Sequence, residues 1–259
     1  MKQKKNKRLI PERLEKMRDM IRRQRAVRID EICQELGISP PTARRDLVRL
    51  ENSGAVRRVH GGAVAVETRL EEPLFDDKRT IAPKEKQKIA VAAANLVNSE
   101  ETIYLDGGST VLELARILRD RQDVNIVTNS LRTAIELSGS GPSVTLTGGR
   151  LRRRSQTMVG PLSKLILGKL HFDKAFMGTI GLSLKEGMTT TDPDEAYTKN
   201  LAMAQSSQVI LLADHSKIGK VSFAHAGDID KISMLITDKK ADKQFIKQAK
   251  KKQIKIIQE

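Results

Sequence analysis

The chain has 259 residues and a formal net charge of +15, with 47 basic and 32 acidic residues. A single cysteine excludes an internal disulfide, and the scarcity of aromatic residues (no Trp, 2 Tyr, 5 Phe) argues against base stacking on single-stranded nucleic acid. No apolar run approaches the roughly 20 residues that cross a bilayer, and the basic N-terminus lacks the apolar core of a signal peptide. We therefore expect a cytoplasmic chain with no membrane segment.

The positive charge is concentrated at the two ends of the chain. Residues 1–60 hold 17 basic and 8 acidic residues, whereas residues 61–237 hold 22 and 21. A basic N-terminal module beside a neutral body is typical of a DNA-binding head joined to a separate domain. The last stretch, residues 238–259, holds 8 basic and 3 acidic residues, and we interpret it as a solvated helix face rather than a second DNA contact.

The first predicted helix runs from about Pro11 to Arg23. The stretch from Arg25 to Gly62 then predicts a winged helix-turn-helix, a motif that places one helix in the major groove of DNA. Asp30 is the expected cap of its first helix, and Gly37 follows that helix where a residue with positive φ is favoured. Ser39 is the expected cap of the second helix.

The second of these helices is the predicted recognition helix. Early residues of such a helix reach base edges, and arginine can contact guanine through two hydrogen bonds. Two short strands at 55–59 and 63–66 predict a basic wing that reaches phosphates or the minor groove. The alternative is a helical hairpin with a solvated basic face, which the joint presence of cap, glycine and wing disfavours. The predicted DNA-binding residues are Ser39, Pro41, Thr42, Arg44, Arg45, Arg49, Arg57, Arg58 and His60.

Residues 67–83 predict a linker, because they are polar, contain two prolines and show no steady period. The predicted domains are therefore a DNA-binding head at 1–66 and a second domain at 84–259. In the second domain, strands alternate with helices, which indicates an α/β fold with a mostly parallel sheet covered on both faces. The predicted strands are 102–105, 125–127, 144–147, 174–178, 208–213 and 231–236, and the predicted helices are 85–97, 109–118, 131–137, 161–167 and 194–205.

Five of the predicted strands end in polar or glycine-rich residues. Ligands of parallel sheets bind beyond the carboxyl ends of the strands, where glycines allow close approach and helix N-termini attract anions. Each end alone resembles an ordinary turn, but together they predict a pocket for a small, polar, anionic molecule, with Lys217 as a point charge. The ends are Asp106-Gly107-Gly108-Ser109-Thr110, Thr128-Asn129-Ser130, Thr147-Gly148-Gly149-Arg150, Gly178-Thr179-Ile180-Gly181 and Ala213-Asp214-His215-Ser216-Lys217.

Other charged residues admit simpler interpretations. In the basic run from Arg150 to Arg154 we expect Arg150 to face the pocket and the rest to form a solvated loop. Glu195 and Lys199 lie four residues apart on a predicted helix, where a surface ion pair is the plain interpretation. The histidines have no metal-ligand spacing, so the sequence predicts no metal site and no cofactor.

Eight segments together carry a family pattern. They are ISPPTARRDLVRLENSGAVRRVHGGAV at 38–64, EKQKIAVAAANLV at 85–97, IYLDGGSTVLELA at 103–115, VTNSLRTAIEL at 127–137, LTGGRL at 146–151, KAFMGTIGL at 174–182, LLADHSKIGK at 211–220 and ITD at 236–238. Through them the chain resembles the DeoR family of bacterial transcriptional regulators over nearly its whole length. It departs from the family where Pro40-Pro41 replaces Glu-Met and Ala43 replaces Ile.

The resemblance implies a C-terminal sensor domain similar to ribose-5-phosphate isomerase that binds a phosphorylated sugar. It implies a repressor of a carbohydrate-metabolism operon that binds double-stranded operator DNA, and we expect a homodimer or homotetramer that presents its DNA-binding heads to two half-sites. The implied effector-site positions are Asp106, Gly108, Ser109, Thr110, Asn129, Gly149, Glu195, Lys199, Asp214 and Lys217, to which the strand-end argument adds Arg150.

The rival hypothesis is an isomerase or deaminase of sugar phosphates. Such an enzyme needs a carboxylate that moves a proton between adjacent carbons. The related isomerases carry acidic residues where this chain has Thr179 and Ile180, which cannot serve as that base. Asp192, Asp194 and Glu195 keep the enzyme alternative open.

Overall fold

The chain divides into two compact units, residues 1–69 and 70–259. Among the described residues, no helix is long and apolar enough to cross a membrane. The single cysteine, Cys33, is a partly buried free thiol. The computed structural model describes residues 10–24, 26–52, 56–59, 61–65 and 72–259.

The first unit is a winged helix-turn-helix. Its elements are α1 (Ile10–Gln24), β1 (Ala26–Arg28), α2 (Ile29–Leu36), α3 (Pro40–Asn52), β2 (Val56–Val59) and β3 (Gly62–Ala65). The strands form an antiparallel sheet in the order β1-β3-β2. Met17 and Ile21 of α1, Ile32 of α2 and Leu47 of α3 are all buried in one apolar core. Burial of these side chains holds the three helices against the sheet.

The predicted ends of α2 are only partly confirmed. Gly37 has a φ of +65° and closes α2, as predicted. The prediction that Asp30 caps α2 is wrong, because the helix already begins at Ile29. The carboxylate of Glu31 instead accepts the backbone N–H of Arg28 at 2.7 Å, so the cap comes from inside the first turn.

A buried carboxylate fixes the recognition helix on the first helix. Asp46 of α3 has a side chain that is 1% exposed. It accepts a hydrogen bond from Nε of Arg13 at 2.7 Å and lies 3.4 Å from Nη1 of Arg49. The contact with Arg13 ties α3 to α1 and limits how α3 can tilt.

The second unit is an α/β domain. Its central sheet has seven parallel strands in the order β15-β14-β12-β9-β4-β5-β6. Its helices are α4 (Phe75–Thr80), α5 (Pro83–Ala94), α6 (Ser109–Ile117), α7 (Leu131–Leu137), α8 (Pro161–Leu167), α9 (Pro193–Ala204) and α10 (Lys243–Lys251). Its strands are β4 (Thr102–Leu105), β5 (Asn125–Thr128), β6 (Ser143–Leu146), β7 (Arg150–Arg152), β8 (Thr157–Val159), β9 (Phe172–Met177), β10 (Gly181–Ser183), β11 (Gly187–Thr190), β12 (Ser206–Leu212), β13 (Ala224–Gly227), β14 (Met234–Thr237) and β15 (Lys255–Gln258).

The order of the strands reverses between β4 and β9. From β4 the chain adds β5 and then β6 on one side, and it continues with β9, β12, β14 and β15 on the other. Buried apolar side chains of the described part of this unit form two cores. One contains Tyr104 and Met177, and the other contains Leu105 and Phe176. Since loops diverge where the strand order reverses, a crevice is expected beyond the carboxyl ends of β4 and β9.

The structure differs from the sequence prediction at residues 72–83, which were assigned to a linker. This segment contains α4 and the start of α5 and belongs to the second unit. Phe75 is 2% exposed, and its backbone N–H donates to the carbonyl of Arg154 at 3.1 Å. The polar composition of this segment does not predict its packing, because Glu72 is buried by pairing with Arg152 and Thr191, which are distant in sequence.

The sequence also missed two short sheets beside the central one. The run from Arg150 to Arg154, expected as a loop, begins with β7, which pairs antiparallel with β8. A second small sheet has the order β10-β11-β13. The α/β fold class, with an N-terminal winged helix-turn-helix, is confirmed, and the predicted elements of the central sheet are present with bounds that differ by a few residues.

Candidate functional site

The recognition helix α3 separates its apolar and basic residues onto different faces. Ala43 and Leu47 are buried, whereas Pro41, Arg44 and Arg45 are exposed. Among the described residues, the guanidinium groups of Arg44 and Arg45 make no hydrogen bond or ion pair. Two unpaired guanidinium groups near the start of this helix match the positions from which such helices read base edges.

Other predicted DNA contacts on α3 already have partners. The hydroxyls of Ser39 and Thr42 lie 2.9 Å apart in a hydrogen bond. Arg49 contacts the buried carboxylate of Asp46, while its own side chain remains 46% exposed. Arg49 would therefore exchange or share this contact on binding a phosphate.

The wing carries Arg58, a predicted DNA contact that already has an acidic partner. Nε of Arg58 donates to the carboxylate of Glu51 at 2.6 Å, and the backbone N–H of Arg58 donates to the same carboxylate at 2.9 Å. These bonds lower the pKa of Glu51, so this acidic group keeps its charge. Arg57 lies in β2 beside Arg58, and the predicted contact His60 lies outside the described residues.

In the second unit, a cleft opens where the strand order reverses. Both the loop after β4 and the loop after β9 line it, as the topology predicts. Its lining residues are Glu72, Lys78, Gly107, Gly108, Ser109, Thr110, Gly178, Thr179, Ile180, Thr190, Glu195, Lys199, Leu212 and Lys217.

A buried ion pair forms the floor of the cleft. Nζ of Lys199 donates to the carboxylate of Asp106 and, at 3.0 Å, to the carbonyl of Gly178. The same carboxylate accepts the backbone N–H of Gly178 at 3.0 Å. Burial raises the pKa of Asp106, and the ammonium of Lys199 opposes that rise. The pair thus joins the ends of β4 and β9 and fixes the shape of the cleft.

The start of α6 presents hydrogen-bond donors to the cleft. Ser109 and Thr110 are buried beside it, and neither hydroxyl has a hydrogen-bond partner among the described residues. Gly107 allows the turn to pack closely, since a Cβ there would lie 2.0 Å from Cγ2 of Thr157. Free N–H groups at a helix start, with two unpaired hydroxyls, make a site suited to an anion.

A short turn after β12 brings Lys217 to the same cleft. Asp238, in the loop after β14, holds this turn by accepting the backbone N–H of His215 at 2.7 Å. The ring Nδ1 of His215 lies 3.0 Å from the same carboxylate. The ammonium of Lys217 makes no hydrogen bond or ion pair within the described residues, and only its backbone is bonded. Burial lowers its pKa, and the nearby charge of Asp214 acts in the opposite direction.

A second group of charges centres on Arg152, which the sequence analysis assigned to a solvated loop. Its guanidinium lies 3.7 Å from Glu195 and 3.1 Å from Asp192. Thr157 and Thr190 donate hydrogen bonds to the Glu195 carboxylate at 3.2 and 2.8 Å. Glu195 and Lys199 are therefore both buried and engaged with other groups, and the surface ion pair interpretation is wrong.

The prediction that Arg150 faces the pocket is also corrected. Its exposed side chain pairs with Asp194 at 2.5 Å and is not part of the lining. Gly149 lies against the start of α8, since a Cβ there would meet Oγ of Ser163 at 2.4 Å. Both residues lie in the β6–β8 region, but neither contributes to the wall of the cleft.

Three predicted effector residues are buried behind the lining. Asn129 is fully buried and close to Gly107, and its Oδ1 has no partner in the described part of the chain. Asp214 is fully buried and accepts the backbone N–H of Ser216 at 2.9 Å. With Asp106, they support the loops that line the cleft. The predicted residues that do line it are Gly108, Ser109, Thr110, Glu195, Lys199 and Lys217.

Four lining residues were not predicted from the sequence: Glu72, Lys78, Thr190 and Leu212. Glu72 and Lys78 were missed because they fall in the predicted linker. Behind them, Nζ of Lys86 donates to the carbonyls of Lys78 and, at 2.5 Å, Ile81. Burial lowers the pKa of Lys86 to about 8. This lysine of α5 therefore anchors the end of α4.

The stability of the protein should depend on the ionisation of Glu72. Its ion pairs lower the pKa from 4.5 to about 2, despite burial. The unfolded chain thus binds more protons in this window, so the contribution to stability is present above pH 4.5 and is lost as the pH falls towards 2. We expect Glu72→Gln to cost about 2 kcal/mol at neutral pH. In urea unfolding, the difference from wild type should shrink as the pH falls through this window, and a constant difference would contradict the assignment.

No group of three or more His, Cys, Asp or Glu residues that could hold a metal ion occurs in the described ranges. The cleft instead combines unpaired hydroxyls, helix N–H groups and ammonium groups, which are donors for an anion rather than ligands for a metal. The fold and the two sites define a winged helix-turn-helix head joined to an α/β domain with a polar cleft lined by hydrogen-bond donors.

Two parts of the chain match known domain families. Residues 13–69 match the DeoR-like helix-turn-helix domain, and residues 81–239 match the DeoR C terminal sensor domain. The chain belongs to the DeoR family of transcriptional regulators, and it binds operator DNA through its N-terminal unit.

Curated relatives match over most of their length. The HTH-type transcriptional regulator GlpR of Haloferax volcanii is 37% identical over 210 residues, which cover 81% of this chain and 82% of the relative. The HTH-type transcriptional repressor GlcR of Bacillus subtilis is 33% identical over 90% of both chains. The lactose phosphotransferase system repressor of Streptococcus mutans is 34% identical over 92% of this chain and 96% of its own.

These relatives are regulators and not enzymes, and the chain is a regulator rather than an isomerase. The three carboxylates that kept the enzyme alternative open have structural partners: Asp192 caps α9, Asp194 pairs with Arg150, and Glu195 is held by two threonines. Among solved structures, ribose 5-phosphate isomerase from Methanocaldococcus jannaschii is similar at a TM-score of 0.39 and 18% identity over 51% of this chain and 53% of its own. A likeness at this level carries no inference about function.

Proposed function

We propose that the protein represses a carbohydrate-metabolism operon and that a phosphorylated sugar bound in the cleft controls its binding to the operator. The observation that carries the proposal is the convergence of Lys217 with the start of α6, where Ser109 and Thr110 have unpaired hydroxyls. The names of two relatives, the transcriptional repressor GlcR and the lactose phosphotransferase system repressor, support a role in carbohydrate control.

The phosphate of the effector would lie at the start of α6. There it would accept hydrogen bonds from the helix N–H groups and the two hydroxyls, and pair with the ammonium of Lys217. The sugar hydroxyls would face the polar wall formed by Thr190 and Glu195, both of which line the cleft.

Control of DNA binding would operate through assembly. A homodimer or homotetramer would hold two DNA-binding heads at half-sites one helical turn or a multiple apart. An effector weakens operator binding only if it binds more tightly to the state whose heads do not match that spacing. A regulator of this kind would act on genomic DNA in the cytoplasm.

A thermal-shift screen of the full chain tests this proposal. Phosphorylated sugars and their unphosphorylated counterparts would be compared at equal concentrations. A ligand present at 100 times its Kd stabilises the folded protein by about 2.7 kcal/mol, which is an easily measured shift. We expect at least one phosphorylated sugar to stabilise the protein while its unphosphorylated counterpart does not. Equal shifts within every pair would contradict the assignment of the phosphate site.

Arg44→Ala and Arg45→Ala should weaken operator binding by about 1–3 kcal/mol if each guanidinium contacts a base. The operator would be selected from a pool of random duplexes by the wild-type protein, and affinities would be measured at matched salt. Arg18→Ala is the control, because Arg18 is an exposed arginine on α1 of the same unit. Wild-type affinity in both α3 variants would show that this helix face does not read the operator.

A further inference from the structure

Glu72 occupies a ready-made anion site in the wall of the cleft. Its carboxylate is 1% exposed and accepts hydrogen bonds from Nζ of Lys78 at 2.5 Å and from the Thr191 hydroxyl at 2.6 Å. Nη2 of Arg152 lies 2.7 Å from the same carboxylate. Three donors from separate parts of the chain thus converge on one pair of oxygens.

Arg152 and Thr191 would stay together without Glu72, because other groups hold Arg152 and its Nη2 also donates to the Thr191 hydroxyl at 3.2 Å. Arg152 also contacts Asp192 at 3.1 Å, and its Nη1 donates to Oγ of Ser155 at 2.9 Å. Lys78, by contrast, pairs only with Glu72 in the described part of the chain and is 9% exposed. Removing Glu72 would leave a buried cation without a partner, which is costly unless another anion replaces the carboxylate.

This site and the start of α6 belong to one cleft. Glu72, Lys78, Ser109 and Lys217 all line it. Lys78 lowers and Glu72 raises the pKa of Lys217, so the charges of the two sites lie within electrostatic reach of each other. Glu72 and Lys78 therefore bring the anion site to this cleft, whereas Arg152 and Thr191 are not among its lining residues.

We propose that Lys78, Arg152 and Thr191 form a second anion subsite, which Glu72 fills as an internal ligand, and that the effector carries two anionic groups, as a sugar bisphosphate or a phosphorylated sugar acid does. This inference rests on the proposed function, which assigns the first phosphate to the start of α6. The second anionic group of the effector takes the place of the Glu72 carboxylate on the same donors. An effector with a single phosphate leaves Glu72 where it is.

Exchange of the Glu72 carboxylate would also change how the segment that follows the first unit is anchored. Glu72 lies three positions after residue 69, the last residue of the first unit. The carbonyl of Glu72 accepts a hydrogen bond from Arg154, so the segment is held at both its side chain and its backbone. Displacement of the carboxylate would leave Glu72 held by its backbone alone, so the effector would loosen the anchorage of this segment.

The test compares ligands that differ by one anionic group. Calorimetric titrations of the full chain would use glucose 6-phosphate against 6-phosphogluconate, fructose 6-phosphate against fructose 1,6-bisphosphate, and ribulose 5-phosphate against ribulose 1,5-bisphosphate. We expect the wild type to bind the doubly anionic member of at least one pair at least ten-fold more tightly. Glu72→Gln, which removes the internal competitor, should raise that affinity by ten-fold or more and change the affinity for the monophosphate by less than three-fold.

Two further variants complete the design. Asp77→Asn removes one negative charge from an exposed residue of α4, the helix that carries Lys78, and should change neither affinity. Thr191→Val removes one donor of the subsite and should weaken the doubly anionic ligand three- to ten-fold, which provides a second test if Glu72→Gln folds poorly.

The outcomes separate this inference from the proposed function. If monophosphates bind as tightly as their doubly anionic partners, or if Glu72→Gln leaves the ratio unchanged, the second subsite is refuted and the phosphate site at α6 stands. If Glu72→Gln weakens both members of a pair equally, Glu72 contacts the sugar itself and is not displaced. If no member of any pair binds, the proposed function fails together with this inference.

Discussion

Lys199→Met should destabilise the second unit by about 3–5 kcal/mol, the usual cost of removing one partner of a buried ion pair. The side chains of Lys199 and Asp106 are 4% and 1% exposed, so solvent cannot replace the lost ammonium. Among the described residues, the Asp106 carboxylate would then keep a single hydrogen-bond donor, the backbone N–H of Gly178. Urea unfolding measures the loss, and Lys247→Met on the exposed face of α10 is the matched control.

The pH dependence distinguishes a stranded charge from a packing defect. Burial already raises the pKa of Asp106 above 3.8, and without Lys199 it should rise further. The folded variant then binds more protons than the unfolded chain, so its stability falls as the pH rises from 3.8 through the folded pKa. A deficit relative to wild type that is the same at pH 5 and pH 8 would show that Lys199 acts through packing alone.

Lys217→Ala should leave operator binding intact and weaken the effector by about 2–5 kcal/mol, the loss expected for one partner of a desolvated charge pair. This corresponds to a factor of roughly thirty or more in Kd, since each 1.4 kcal/mol is about tenfold. The reason is that Lys217 lines the cleft and its ammonium makes no hydrogen bond or ion pair among the described residues, so its charge is available to the phosphate. The measurement is release of the selected operator by the sugar phosphate that gives the largest thermal shift.

Lys220→Ala is the control for this variant. Lys220 is an exposed lysine three positions further along the same turn, so the two substitutions remove the same charge. We expect release to be normal in Lys220→Ala and lost in Lys217→Ala at equal effector concentration. Equal release in both variants would remove Lys217 from the effector site.

Much of the cleft follows from local sequence. Ser109, Thr110 and Lys217 could be placed at one sheet edge because the carboxyl ends of parallel strands meet there. The same reasoning located the loop after β9. Glycine positions were equally informative, since the left-handed conformation of Gly37 closes α2 where the sequence predicts the helix end.

Contacts between residues distant in sequence could not be predicted in this way. Glu72 and Arg152 are separated by 80 positions, and their burial depends on an ion pair that exists only in the folded chain. Strand register is a second feature that the local sequence does not reveal. Arg152 pairs with Thr157 across β7 and β8 and therefore lies near Glu195, whereas Arg150, two residues earlier in β7, pairs with Asp194. Neither the linker-like composition nor the basic run contains that information.

Operator affinity measured with and without sugar phosphates tests the central claim most directly. Fluorescence anisotropy of the selected operator duplex would be recorded with the full chain at fixed salt, across a panel of phosphorylated sugars and their unphosphorylated counterparts. We predict that at least one phosphorylated sugar weakens operator binding by about ten-fold or more, within the usual range of allosteric coupling, while its unphosphorylated counterpart has no effect. Unchanged operator affinity across the whole panel, or equal release by an unphosphorylated sugar, would contradict the assignment of the cleft as a sugar-phosphate sensor.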